Sequence, residues 1–262
     1  MLHIARLTWN FFRIGILNEL QYRANFFIQL LQSLIALAVG LVGLSLVFSH
    51  TTALGGWSRP ELLAVMGVHL MMGGLIRMTI QPNMQRLMGD VREGTLDYAL
   101  TKPADSQALV SVRQIQLWQG VDVLMGLGVL AVATLQLQAV LSIRVALAFV
   151  AALLCGGLMV YAFWLILTTG AFWVIRMEHI VELFDGVYAA GRYPVSLYPD
   201  WLRTGLTFLV PVAFAVTVPA EAITGRLTST TLLQAFGLAL ALLAVARWFW
   251  FFGLRHYAGA SA

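Results

Sequence analysis

Residues 145–175 read VALAFVAALLCGGLMVYAFWLILTTGAFWVI, a run of 31 residues without a charge between Arg144 and Arg176. At 1.5 Å per residue a helix of that length reaches about 46 Å, more than the roughly 30 Å of a bilayer's hydrocarbon core. The run predicts a transmembrane helix that tilts or projects beyond the membrane, with Trp164, Phe172 and Trp173 marking the end nearer one interface. The one cysteine, Cys155, lies inside it, which excludes an intrachain disulfide or a multi-cysteine metal site and suits a small packing residue.

The rest of the chain has the same character. Hydrophobic residues make up 60% and charged residues 11%, against about 25% charged in an ordinary soluble domain, and mean hydropathy is +0.83. With about 20 apolar residues per span, the chain holds about six spans and no separate soluble domain, so any ATPase, ligand-binding or DNA-binding module must reside on another chain. Working outward from 145–172 gives an all-α integral membrane protein, a single transmembrane domain over 1–262, with further spans at about 26–48, 61–80, 114–138, 201–218 and 231–252. Residues 1–24 predict an interfacial helix, since Leu2, Ala5, Trp9, Phe12, Ile16 and Leu20 recur at helical spacing opposite Arg6, Asn10 and Arg13. No cleavable signal peptide is expected, because the first apolar run starts after about 25 mixed residues and is long enough to span.

Polar residues inside the spans are the candidate pathway or gating positions. Gln29, Gln32 and Ser33 share one face of the first span, which should turn towards other helices rather than lipid. The 15 uncharged residues 62–76 are too few to cross, so the second helix should extend at both ends with Arg77 snorkelling; His69 near its middle reads as a packed neutral histidine or a ligand. Asp122 has two readings. A crossing from Gln114 to about Leu135 places a costly carboxylate about 13 Å along the helix from Arg113, whereas a crossing from Val123 to Ile143 leaves it at the interface; an interfacial or inward-facing position is favoured. Pro211 interrupts the fifth span and favours a kink, and a short loop, 219–230, leads to the sixth, which ends in the aromatic belt WFWFF at 248–252.

With the N-terminus in the cytoplasm, six spans return the C-terminus there. Arg6, Arg13, Arg23, Arg77, Arg86, Arg92, Lys102, Arg113, Arg176, Arg192, Arg203, Arg247 and Arg255 then fall inside and only Arg59, Arg144 and Arg226 outside. This positive-inside asymmetry explains the formal charge of +4 without nucleic acid. It also makes cytoplasmic the densest charged stretch, DVREGTLDYALTKP at 90–103, and a helix over 176–190 whose Ile180, Leu183, Phe184, Val187 and Tyr188 follow helical spacing. His179 and Glu182 lack further ligands for a metal and read as a solvated face.

Nucleotide hydrolysis in this chain is excluded by inspection. A phosphate-cradling GxxxxGK[ST] loop needs a lysine followed by Ser or Thr, and the only lysine, Lys102, precedes Pro103. Ion-driven transport would leave several intramembrane ionisable groups, for which Asp122, His69 and the Pro211 kink are thin candidates; HExxH and GxSxG are absent. What remains is a helical pore or gate with cytoplasmic helical segments. Asp90 and Glu93 are spaced as a capping box, Leu96, Ala99 and Leu100 form an apolar patch flanked by Arg92 and Asp97, and Pro103 stops the helix, a ridge suited to a partner's groove.

The order of these features resembles the ABC-2 class of ABC transporter permeases: an interfacial helix, six spans, and a second cytoplasmic loop carrying E-G-T-L and then L-x-x-P, here Glu93, Gly94, Thr95, Leu96, Leu100 and Pro103. The resemblance extends over the whole chain, through the Ile-Arg at 175–176 and the VPVAF to VPAE stretch at 210–221, and is nearest to bacterial permeases often found as two dissimilar subunits. It implies that the loop between spans two and three is a coupling helix docking on a separate ATPase, with Arg92, Glu93, Gly94, Thr95, Leu96, Asp97, Leu100 and Pro103 at the contact. Glu178, Glu182 and Phe184 are a candidate second contact. The implied protein is a multi-pass exporter permease of the bacterial inner membrane that pairs with itself or a paralogue, binds no cofactor of its own, leaves ATP and magnesium to its partner, and moves an amphipathic or hydrophobic substrate. The short 219–230 loop argues against the re-entrant helices many relatives have before the last span. An ion-coupled carrier and a non-transporting membrane scaffold are the alternatives.

Overall fold

The computed structural model describes residues 23–138, 142–173 and 179–257. The helix expected over 1–24 therefore lies almost wholly outside the described residues, as does Glu178. The all-α reading holds, and among the described residues there is no sheet, only a single bridge between Leu54 and Trp57.

Helix α1 is Arg23–Phe48. Phe27, Ile28, Leu31, Val42 and Leu46 on it are more than half exposed, an apolar surface that hydrocarbon accommodates and water does not. Helix α2, Arg59–Leu75, starts where the Ser58 N–H donates to Glu61 Oε2 (2.7 Å) and Pro60 supplies a φ already suited to a first turn. It continues through a π turn, Ile76–Ile80, into α3, Gln81–Arg92, making one apolar rod of 34 residues, Arg59–Arg92, about 51 Å long. Pro82 has no N–H to give the carbonyl of Met78, and the N–H of Gln116 bonds there instead (3.0 Å). The Asn83 side chain completes the dock, accepting from the Gln114 N–H (2.8 Å) and donating to the Gln114 carbonyl (2.7 Å).

After two short helices, α4 Asp97–Leu100 and α5 Ser106–Ser111, the chain returns as α6, Gly120–Leu137. It packs backbone to backbone on α2: a Cβ at Gly126 would lie 2.5 Å from the Met71 nitrogen, and one at Gly74 2.8 Å from the Val123 nitrogen. Small residues at such crossings let two spans approach closely where there is no water to drive them together. Helix α7, Ile143–Thr169, carries most of the uncharged run 145–175 and buries Trp164 completely.

Beyond α7 the fold departs from expectation. Helix α8, Ile180–Ala189, is not a free helix at one end of the bundle. It climbs antiparallel to the α2–α3 rod: Asp185 lies beside Gln81, the Tyr188 hydroxyl donates to the His69 carbonyl (2.9 Å), Gly191 packs on Val212 beside His69, and Trp57 Nε1 donates to Ser196 Oγ (3.0 Å). Residues 180–197 thus traverse the bundle from the level of Gln81 to that of Trp57. Phe184 is buried against Trp164 and Tyr188, while Leu183 faces outward at 67% exposure.

The span expected at 201–218 is instead two helical segments bent by 79°. The first is α9, Asp200–Thr204, continued by a π turn, Gly205–Leu209; the second is a π turn, Ala213–Thr217, continued by α10, Val218–Thr224. Val210 is extended (φ −118°, ψ 107°), as a residue before proline prefers, so Pro211 forms a corner rather than a kink. Leu197 enters beneath Gly55 and Arg226 leaves beside Gly56 and Trp57, so the bent pair departs from and returns to the same end of the bundle. Residues 219–224 are helical and not loop. Two of the residues expected inside are therefore placed differently: Arg203 follows Leu197 at the Trp57 end, where Arg59 and Arg226 lie, and Arg192 lies within the bundle. Helix α11, Ser229–Leu254, runs back alongside α7, with Ala235 and Ala239 meeting Ala152, Cys155 and Phe214 in a small-residue core.

Candidate functional site

The charged stretch at 90–103 forms a braced loop at one end of the bundle. Asp90 does not start a helix; it lies in the last turn of α3. The Thr95 N–H donates to the Asp90 carbonyl (2.8 Å), the Gly94 N–H to that of Val91 (3.3 Å), and Gly94 has φ +70°. This is a Schellman cap, in which a glycine in the left-handed region lets the last carbonyls of a helix be satisfied. The expected Asp90–Glu93 capping box is therefore corrected to a helix stop. Asp90 spends its carboxylate on Arg113 (2.7 Å), which closes the loop at its base.

The apolar ridge also turns out differently. Leu96 is fully buried, Ala99 is buried and Leu100 is half-buried, so they pin the loop to its own core and offer nothing to a groove. The outer rim consists of Arg92, Glu93, Tyr98, Thr101, Lys102 and Pro103, with Gly94, Thr95 and Asp97 half-buried beside it. Tyr98, at 78% exposure, is the residue sequence reasoning missed. At the other side, Asp105 accepts from the Ala108 N–H (2.9 Å), capping α5, and pairs with Arg247 of α11 (2.5 Å). The Arg247 hydrogen bond holds the Asp105 carboxyl below the usual carboxylate range.

A folded-state value below the unfolded one gives stability that is complete above the unfolded value, about 3.9, and is lost as pH falls through the lowered one. Asp105→Ala removes both cap and pair. It should cost about 1–2 kcal/mol at pH 7, read as a fall of a few degrees in thermal unfolding, with the gap between wild type and variant beginning to narrow only as pH falls below about 4. An unchanged unfolding temperature at pH 7 would contradict the clasp.

The spanning part contains a second polar assembly. Asp122, on the first turn of α6, is buried and accepts from Arg77 Nη2 of the π turn (2.7 Å), from Ser33 Oγ and from Gln29 Nε2 (3.3 Å) of α1. Its inward-facing placement is thereby realised, and Gln29 and Ser33 do face other helices. Gln32 does not; it is exposed, away from this network. A carboxylate so paired is suited to joining three helices. Towards the Trp57 end lies a cavity of about 300 Å³ lined by Leu37, His69, Arg77, Asp185, Tyr188 and Arg192. His69 stacks on Tyr188 (4.6 Å) and its Nδ1 is buried without a partner. Leu37 also lines an apolar groove of about 610 Å³ between α1, α2 and α6. Pro211 is buried at the corner of the bent pair. Glu182 stays exposed, near His179 (3.9 Å), but the buried Phe184 cannot be a docking residue. Among the described residues no three His, Cys, Asp or Glu side chains gather as a metal site.

Among the described residues five helices are long and apolar enough to cross a membrane, and together with the limb at 180–197 they define a multi-pass helical membrane protein with a braced polar loop at one end. The chain belongs to a family described as ABC-2 family transporter protein, whose model matches residues 34–261. Members of that family are the membrane components of ABC transporters, which associate with separate ATPase subunits. No curated protein and no solved structure matches the chain.

Proposed function

We propose that this chain is the permease subunit of an ATP-driven exporter in a bacterial inner membrane, and that the rim Arg92, Glu93, Tyr98, Lys102 and Pro103 is where the ATPase docks. The observation that carries the proposal is an exposed, mixed-charge rim on a loop pinned from beneath by Leu96 and braced at both sides by Asp90–Arg113 and Asp105–Arg247. Such a mount passes on force where a pliant loop would absorb it. In this reading the braced end faces the cytoplasm, ATP and magnesium are held by the partner, and two permeases, identical or paralogous, enclose the pathway for an amphipathic or hydrophobic substrate. The bent pair at 200–224 is then re-entrant from the opposite side. Lipid surrounds the exposed face of α1, and nucleic acid has no part. The pairing of Asp122 with Arg77 favours this reading over an ion-coupled carrier, because the carboxylate is engaged in holding helices.

The test is co-purification of an ATPase under mild detergent, followed by coupling in variants. Glu93→Lys and Tyr98→Ala should each lower transport-coupled ATPase activity about tenfold, the effect of removing one anchor of a protein interface, with unfolding temperature unchanged. Leu96→Ala should instead lower the unfolding temperature. Full coupling in both rim variants would remove the loop from the mechanism.

A further inference from the structure

The cavity beside His69 is lined by two arginines, Arg77 and Arg192, and one carboxylate, Asp185. Arg77 is engaged by Asp122, and Asp185 lies beside Gln81. Arg192, half-buried on the climbing limb at the level of His69, has no carboxylate within ion-pair distance among the described residues. A guanidinium without a direct ion-pair partner is costly at membrane depth, and residues held there against that cost mark ligand sites by default. The planar fork of arginine matches a phosphate or carboxylate bidentately, and the unpartnered His69 Nδ1 opens on the same cavity. Adjoining it across Leu37 is the groove walled by Leu41, Leu63, Val129 and Val132, with exposed Arg59 and Gln136 marking its far end. Both volumes lie in the range of small-ligand sites.

We infer that the cavity and groove together bind a membrane amphiphile with a phosphate head group, the head on Arg192 beside His69 and an acyl chain along the Leu37-lined groove. This deepens the permease reading and rests on it, naming the substrate as an anionic amphiphile. The groove offers a built-in tail probe: a Cβ at Gly128 meets nothing within 4 Å, so a large side chain there fills the groove without disturbing a helix contact.

The experiment uses the full chain in neutral-lipid nanodiscs, without ATPase, and a fluorescent single-chain lysophosphatidic acid, with a monoacylglycerol of equal chain length and inorganic phosphate as comparators. Wild type should bind the phosphate amphiphile at least tenfold tighter than the monoacylglycerol. Arg192→Gln should abolish that preference, Arg192→Lys should keep part of it, and Gly128→Phe should weaken both amphiphiles. Thermal unfolding of each variant checks that it is folded. An undiminished preference in Arg192→Gln overturns the assignment, as does a preference lost in Arg59→Gln instead, which would put the head at the groove's far mouth. Inorganic phosphate competing as well as the amphiphile would show a free-anion site and overturn the tail. Because no ATPase is present, failure here leaves the coupling tests standing, and failure of coupling leaves this binding measurable.

Discussion

Arg77→Leu is expected to destabilise the protein by about 3 kcal/mol, near the lower end of the cost of breaking a buried ion pair. The cost is near the lower end because a third of the Arg77 side chain is open while the Asp122 side chain is only 5% exposed. The variant leaves Asp122 in an apolar bundle with only the amide and hydroxyl of Gln29 and Ser33 to answer it. The double variant Arg77→Leu, Asp122→Leu should recover most of the loss, since apolar replacement of a whole buried pair is often neutral; Gln29 and Ser33 can still bond each other (3.3 Å). Thermal unfolding in detergent, followed by tryptophan fluorescence, reads both. A double variant no better than the single one would show that Arg77 acts alone.

The second large effect belongs to Gly126. A valine there meets the Met71 nitrogen and Cα, at 2.5 and 2.8 Å from its Cβ, and backbone cannot step aside as a side chain does. Ordinary overpacking costs about 1–3 kcal/mol; with α2 and α6 in direct backbone contact the loss should exceed that range and appear as failure to recover folded protein. Gly128→Val, two residues along where a Cβ meets nothing within 4 Å, should be recovered normally. Equal recovery of the two would mean that the α2–α6 crossing is looser than described.

Long uncharged runs disclosed the architecture because a spanning helix in contact with lipid has few alternatives to being apolar. The helix expected over 176–190 reads as a cytoplasmic segment, not as a limb through the bundle, for the complementary reason. Its Tyr188 meets the His69 carbonyl and its Asp185 lies beside Gln81, and a segment shielded by protein need not be hydrocarbon. Asp90 misled because a carboxylate three residues before Glu93 satisfies the spacing of a helix start; the signal for a stop was Gly94, just after a turn ending in Arg92. The apolar pattern of Leu96, Ala99 and Leu100 was read correctly as one face. What periodicity alone cannot tell is whether such a face is covered by its own chain or by another, and here its own chain covers it.

The rod from Arg59 to Arg92 gives the molecule a mechanical character. Its upper end is anchored by Arg226, which grips Glu61 (2.7 Å) and lies over Trp57, and its lower end carries the braced rim. Between them sits one place where the helical winding is slack, the π turn at 76–80. In the proposed coupling, a strut fixed at the top and loaded at the bottom yields at its softest section, and that section bears Arg77, which holds the Asp122 carboxylate that joins α6 to α1. A push on the rim would then be felt as a change in how three spans are tied together, some 23 Å away along the axis.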